Sequence, residues 1–443
     1  MDRKTNYALP FGLLVFHLAI SGSIWWTGSN AFFASDAPGA PLIALGRLAG
    51  LLLASAILVQ VVLIGRTVWL ERTFGLDKLA RVHHILGYSI SALLVAHPGL
   101  IILGYGRLNG IGFAEQFLSI VGNSGHLLQA FLAFLVLLGL ILIATPPVRR
   151  RLPYELWYFT HLLVYVAIAL AFTHQLAGGD LAGRTWVLAY WYSLYVLVFG
   201  ELVLFRLIRP VFLFYRHRFR VEEVRRETHD TVSIRISGRN LENFRFKPGQ
   251  FSIFRFLAPG FWWQAHPFSL SRPFDGKNLR ITVKGVGDYT RALPNVRPGT
   301  SVILDGPWGI FTPNRTEAPK LLLIAGGVGI TPIRSAAEEF ARAGREAVLL
   351  YANKTKEDII FREELAELES KGPLKVHHVL SADDSWPGEK GRLDGERIKR
   401  LVPDVPDRAV FLCGPPPMMK AIRRTLMDLG VPAGRIFYEK FAL

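Results

Sequence analysis

Six apolar stretches, near residues 8–27, 42–65, 83–104, 126–145, 156–176 and 185–208, restrict how this chain can fold more than any other feature. Each approaches the ~20 residues that cross ~30 Å of hydrocarbon at 1.5 Å per residue. Beyond about residue 215 the texture changes to short alternating runs punctuated by Gly and Pro. The pattern predicts a membrane α-helical six-helix bundle over 1–210, an antiparallel β-barrel over 215–316 and an α/β domain over 317–443. With the C-terminal half in the cytoplasm, inner helix ends carry Arg3, Lys4, Arg66, Arg72, Lys78, Arg81, Arg149, Arg150, Arg151, Arg206, Arg209, Arg216, Arg218 and Arg220. The outer connections hold only Arg107 and Arg184, with Arg47 near an outer helix end, a strong positive-inside asymmetry. It absorbs much of the net charge of +16, so nucleic acid is not needed as a partner. The expected location is the cell (plasma) membrane, multi-pass, with the lipid bilayer as partner. Trp25 and Trp26 close the first stretch without a small-residue cleavage site, so it is expected to stay as a span. A single cysteine, Cys413, excludes a disulfide framework, a Cys₄ zinc site and a Cys-ligated iron–sulfur cluster.

Ionisable residues inside a bilayer default to function. The third stretch carries His83, His84 and His97, and the fifth carries His161 and His174. Both run from inside to outside, which puts the imidazoles at two levels ~20 Å apart. Two stacked haems, each held by one imidazole from each helix, would satisfy the four positions. At ~100° per residue, the 14 residues from His83 to His97 return within ~40° of the same face. That favours His83 over His84. The 13 residues from His161 to His174 miss by ~140°, so that span must be kinked or bulged, or the haems offset. Gly87 leaves room for a flat macrocycle. The alternative is that these histidines bond between helices or form a proton path. His17 and His126 lack matching partners and read as structural or interfacial.

In the barrel segment, Lys247–Phe251 reads as a turn entering a strand, and TVSIRIS (231–237) and LRITVKG (279–285) as strands. An isoalloxazine needs a flat apolar surface, a hydrogen bond near its reactive nitrogen and an anchored pyrophosphate. Phe268, Ser269 and the Gly-rich turn Gly285–Thr290, with its backbone N–H groups, can supply these in order. In the last segment, KLLLI (320–324) reads as a buried strand leading into Ala325-Gly326-Gly327-Val328-Gly329-Ile330-Thr331-Pro332 and a helix over 333–343. Thr331 is expected to cap that helix and Pro332 to take its first position. The glycines admit a pyrophosphate at the positive helix end. Further strands are expected at 347–352, 375–380 and 409–413, the last ending in Cys413-Gly414-Pro415-Pro416-Pro417. Cys413 then borders the nicotinamide or simply packs. Lys354 and Arg392 either meet a ribose 2′-phosphate, which favours NADPH over NADH, or are solvated surface charges.

HPFSLS, GDYT, GGVGITP and CGPPP, together with paired histidines on the third and fifth spans, resemble the ferric reductase and NADPH oxidase flavocytochrome superfamily, especially its single-chain bacterial members. The resemblance covers nearly the whole chain. It implies a ferric reductase-like helical core fused to a ferredoxin–NADP reductase-like module. It assigns His83 and His161 to an inner b-type haem and His97 and His174 to an outer one. FAD falls to His266, Pro267, Phe268, Ser269, Gly287, Asp288, Tyr289 and Thr290. The nicotinamide nucleotide falls to Gly326, Gly327, Gly329, Thr331, Pro332, Cys413, Gly414 and Pro415. Ser269, Cys413 and the flavin-covering aromatic Phe441 are the candidate catalytic residues.

The implied activity is an NAD(P)H oxidase that moves electrons from cytoplasmic NAD(P)H through FAD and two haems to oxygen, giving superoxide. A bis-His iron has no open position, so the acceptor is reduced without binding the metal. Short outer connections (105–125, 177–184) favour oxygen over a ferric chelate. Ferric-chelate reduction, or donation to a periplasmic oxidoreductase, is the rival. A haem-free transporter or receptor with a nucleotide-sensing domain is the alternative of another class. No obligatory subunit is evident, and no EF-hand or SH3-binding tract appears.

Overall fold

The computed structural model describes residues 7–122 and 125–439, so Arg3, Lys4 and Phe441 lie outside the described residues. It divides into two compact units, Met1–Thr73 with Lys78–Val203, and Phe74–Asp77 with Leu204–Leu443.

The first unit is helical. Five of its helices are long and apolar enough to cross a membrane: Ala8–Phe33, Ala40–Ile64, Leu76–Asn109, Gly125–Ala144 and the run Tyr154–Ala177. Six were expected. The last stretch forms the 19-residue helix Thr185–Val203 and then a π-helical run, Leu204–Ile208. It carries two tryptophans, three tyrosines and Glu201. The Tyr154–Ala177 run is broken: one helix ends at His161 and the next begins at Val164. Tight bonds such as Leu163 N to Thr160 O (3.0 Å) and Tyr165 N to Leu162 O (3.1 Å) fill the gap. The interior is apolar, from Leu53, Ile90, Leu94, Ala133, Leu137 and Ala167.

The second unit begins with helix Arg209–His217 and two three-stranded antiparallel sheets. Strands β1 (Arg220–Arg226), β2 (Thr231–Ser237) and β5 (Asn278–Lys284) form one. Strands β3 (Phe251–Phe256), β4 (His266–Ser269) and β6 (Val302–Trp308) form the other. Bridges Arg220–Ser301 and Leu270–Ile281 pin the sheets together around a core including Phe254, Phe256, Ile234 and Ile281. Strand alternation produces this: in TVSIRIS, Ile234 and Ile236 are fully buried.

An all-parallel sheet follows, in the order β10-β9-β8-β7-β11-β12. Its strands are β7 (Lys320–Gly326), β8 (Glu346–Asn353), β9 (Leu374–Leu380), β10 (Glu389–Lys390), β11 (Ala409–Cys413) and β12 (Ile436–Tyr438). The chain builds outward from β7 to β10, then returns to lay β11 on the other side of β7. Ligands of such sheets lie where the order reverses, past the strand C-termini. That crevice lies between Gly326 and Cys413.

Candidate functional site

The four histidines meet in pairs. The ring centroids of His83 and His161 are 6.4 Å apart, and those of His97 and His174 are 6.3 Å apart. An imidazole–metal bond is about 2.0–2.1 Å and a ring nitrogen lies about 1.1 Å from its centroid, so two rings on one ion sit about 6.3 Å apart. Both pairs match that spacing. The break after His161 is a kink, one of the alternatives that the 13-residue separation left open. His84 turns outward, exposed, beside the Tyr88 hydroxyl at 3.3 Å.

The backbone orients the rings. His97 Nδ1 donates to the Gly46 carbonyl at 2.8 Å and His83 Nδ1 approaches the Gln60 carbonyl at 3.4 Å, which leaves each Nε2 available to a ligand. His161 Nδ1 and His174 Nδ1 are buried without a hydrogen bond among the described residues. Close approach is allowed by glycine: a Cβ on Gly50 would lie 2.7 Å from the His97 ring. A Cβ on Gly87 would meet only Gln60 Nε2, at 3.8 Å, so space beside His83 stays open. The Leu76–Asn109 helix makes no extended backbone contact with the His161 or His174 segments; Gly125–Ala144 packs along the latter instead. Rings that face each other across a gap, at metal-clamping distance, fit a bis-imidazole tetrapyrrole. Gly46 and Gly50 went unread in the sequence, although their small-xxx-small spacing was the available signal.

In the second unit, β4 presents His266, Pro267, Phe268 and Ser269, paired with Phe254, Ile253, Ser252 and Phe251 of β3. Ser269 is 6% exposed, and its hydroxyl has no partner among the described residues. The Tyr289 ring lies 3.9 Å from that of His266, whose Nε2 meets Gln264 Oε1 at 2.9 Å. Burial pushes the Tyr289 hydroxyl's pKa up, and that hydroxyl too is unpartnered. The turn after β5 differs from expectation. The Val286 and Gly287 amides both donate to Thr290 Oγ1 at 3.0 Å, so they are engaged within the turn instead of pointing outward. Asp288 and Arg291 are exposed beside it.

The nucleotide loop divides its glycines by task. Gly327 has φ +52° and open space around a would-be Cβ, so a ligand can approach it. At Gly329 a Cβ would lie 2.4 Å from the Cys413 carbonyl oxygen, and at Gly326 2.5 Å from Met418 Sδ. Those two let the β7 loop press on the end of β11, where Gly414 and Pro415 follow. Helix Ile330–Arg342 starts earlier than expected, with Gly329 at its N-cap. Thr331 is therefore inside the first turn, its hydroxyl donating to the Val328 carbonyl at 3.0 Å rather than capping, and Pro332 is third rather than first. Pro332 is still tolerated, because no intrahelical bond needs its missing N–H there. Cys413 is fully buried; burial and nearby Glu439 push its thiol pKa well above the usual range. Its S–H reaches the Glu439 carbonyl at 3.9 Å. Lys354 and Arg392 follow β8 and β10 at the same sheet edge, exposed and without ion pairs among the described residues.

Three family profiles match the chain: a ferric reductase-like transmembrane component over residues 45–172, an FAD-binding domain over 216–312 and an oxidoreductase NAD-binding domain over 323–424. Similar curated proteins include the glycine betaine monooxygenase reductase subunit of Chromohalobacter salexigens, 30% identical over 236 residues (51% of this chain, 64% of that one). The 3-ketosteroid-9-alpha-monooxygenase ferredoxin reductase component of Mycobacterium tuberculosis is 35% identical over 204 residues (44% and 55%). Sulfhydrogenase 2 subunit gamma of Pyrococcus furiosus is 32% identical over 212 residues (44% and 72%). The chain thus spans less than two thirds of the glycine betaine and ketosteroid reductases it matches. Among solved structures, the FAD/NAD-binding domain of a Vibrio cholerae nitric oxide dioxygenase is 27% identical, with TM-score 0.46, covering 50% of this chain and 97% of that one.

Proposed function

The chain belongs to the ferric reductase and NADPH oxidase flavocytochrome superfamily, and from that premise we propose that it is a transmembrane NAD(P)H oxidase. Electrons enter from NADPH or NADH on the cytoplasmic side of the cell membrane and leave to oxygen, as superoxide, on the other. Bound FAD would divide a two-electron hydride into single electrons, and two b-type haems would carry them across the bilayer.

The chain's own residues do the rest. His83 and His161, then His97 and His174, offer imidazole pairs at the spacing of one clamped ion. The Gly46 carbonyl holds the proton on His97 Nδ1 and keeps Nε2 free. Ser269 Oγ, buried and unpartnered, offers a hydrogen bond beside the Phe268 face. Gly327 admits the nucleotide backbone. Cys413 remains a protonated thiol at neutral pH and so borders the site without charge.

The paired histidines carry the reading, because a soluble FAD/NAD reductase has no use for them. Acceptor choice is a finer matter. Relatives named as reductase components of monooxygenases favour, as a second reading, donation to a separate oxidoreductase. Ferric-chelate reduction is the third. Purified protein in detergent, given NADPH and then oxygen or a Fe³⁺ chelate, separates them. Superoxide formation at a rate exceeding chelate reduction is expected; an oxygen-inert protein that reduces chelates would reverse the preference.

A further inference from the structure

One carboxylate gathers three guanidinium groups where the barrel meets the α/β layer. Glu364, in helix Arg362–Lys371, accepts a fork from Arg280 of β5, at 2.6 Å on Oε1 and 3.0 Å on Oε2. Arg334, in the helix that follows the nucleotide loop, reaches Oε2 at 2.9 Å. Arg225 of β1 adds a contact at 3.4 Å. The same two arginines converge on the end of the flavin-type motif. Arg280 donates to Ser271 Oγ and Ser271 O, both at 3.1 Å, and Arg334 Nη1 reaches Ser271 O at 3.5 Å. Ser271 is fully buried, two residues beyond Ser269.

These groups are not loose surface pairs. The Arg334 side chain is 7% exposed and that of Arg280 is 11%. Glu338 also takes Arg334, so two carboxylates face the cluster of guanidiniums. Burial pushes the Glu364 carboxyl up, but the Arg280 hydrogen bonds and the Arg334 charge outweigh it and hold the pKa low. Removing the charge would leave two buried cations without their shared partner, which costs far more than losing an exposed ion pair.

We infer that Glu364 is a positioning residue: by tying Arg280 and Arg334 to Ser271, it sets the register of the nucleotide half on the flavin half. The inference rests on the redox reading only for its consequence, the distance a hydride must travel. A misplacement of about 1 Å can cost about 100-fold in rate.

The test uses the full-length holoprotein. Cys413 is the sole cysteine and buried, so spin labels go to Lys277→Cys on the barrel and Ser370→Cys on the α/β half. Pulsed-EPR distances are recorded with Glu364→Gln, and with Arg280→Lys in case the first variant folds poorly. A broadened or displaced distribution is expected in both. In parallel, anaerobic flavin reduction by NADPH should slow about 10- to 100-fold at saturation, with KM changed less than about twofold. Glu364→Asp should recover part of the rate. Unchanged distances in both variants, or changed distances with an unchanged reduction rate, would overturn the inference. A wild-type flavin that NADPH does not reduce would instead sink the redox reading, leaving the distance result to stand on its own.

Discussion

The histidine pairs of the membrane unit and the Glu364 cluster of the reductase unit handle buried polar groups in opposite ways. Around the histidines, only backbone carbonyls such as those of Gly46 and Gln60 are engaged, and the rings of each pair are held apart. In the reductase unit, buried charge is tied into dense networks such as Arg280–Glu364–Arg334. Its buried atoms without a partner among the described residues include the hydroxyls of Ser269 and Tyr289. The contrast teaches where each unit expects a ligand. The first leaves a gap between opposed imidazoles; the second leaves single hydroxyls at the rim of a rigid scaffold.

If the two units act independently, His97→Ala or His174→Ala should remove about half of the haem absorbance while FAD content and anaerobic flavin reduction stay at wild-type levels. Loss of flavin reduction as well would break the separation. In the reductase unit, Ser269→Ala should slow flavin reduction by about 2- to 10-fold, the worth of one hydrogen bond. Stopped-flow traces at saturating NADPH check this.

Glycine substitutions sharpen the contrast. Gly329→Ala drives a Cβ against the Cys413 carbonyl and should cost roughly 1–3 kcal/mol of unfolding free energy with weaker nucleotide binding. Gly50→Ala presses on the His97 ring and should shift the spectrum of one haem only, which electron paramagnetic resonance resolves.

The smallest effect concerns acid. The Arg408 hydrogen bond, with help from Lys320, holds Asp404 at about 2. A carboxyl depressed on folding contributes stability above its unfolded value of about 3.9 and loses it as pH falls through the folded one. Wild type should therefore lose stability between about pH 4 and 2 more steeply than Asp404→Asn, as chemical denaturation would show.

Much of this was legible in the residues. Alternation set the strands, so TVSIRIS occupies Thr231–Ser237 as read, and helical rotation arithmetic picked His83 over His84. A kink in the fifth stretch was one of the alternatives that arithmetic left open, without its place after His161. What escaped depends on contacts between distant segments. Nothing local marks Glu364 as the meeting point of β1, β5 and the nucleotide helix. The turn closed by the Thr290 hydroxyl depends on backbone geometry, and Thr331 was misplaced because the helix starts on Ile330.

On the proposed reading, the two imidazole pairs hold redox centres that a flavin supplies with electrons. An anaerobic NADPH titration of the purified holoprotein, followed by visible absorption, tests it most directly. The account predicts flavin bleaching together with reduction of two low-spin b-type haems per chain. A protein that carries reducible FAD but shows no reducible haem band would contradict it.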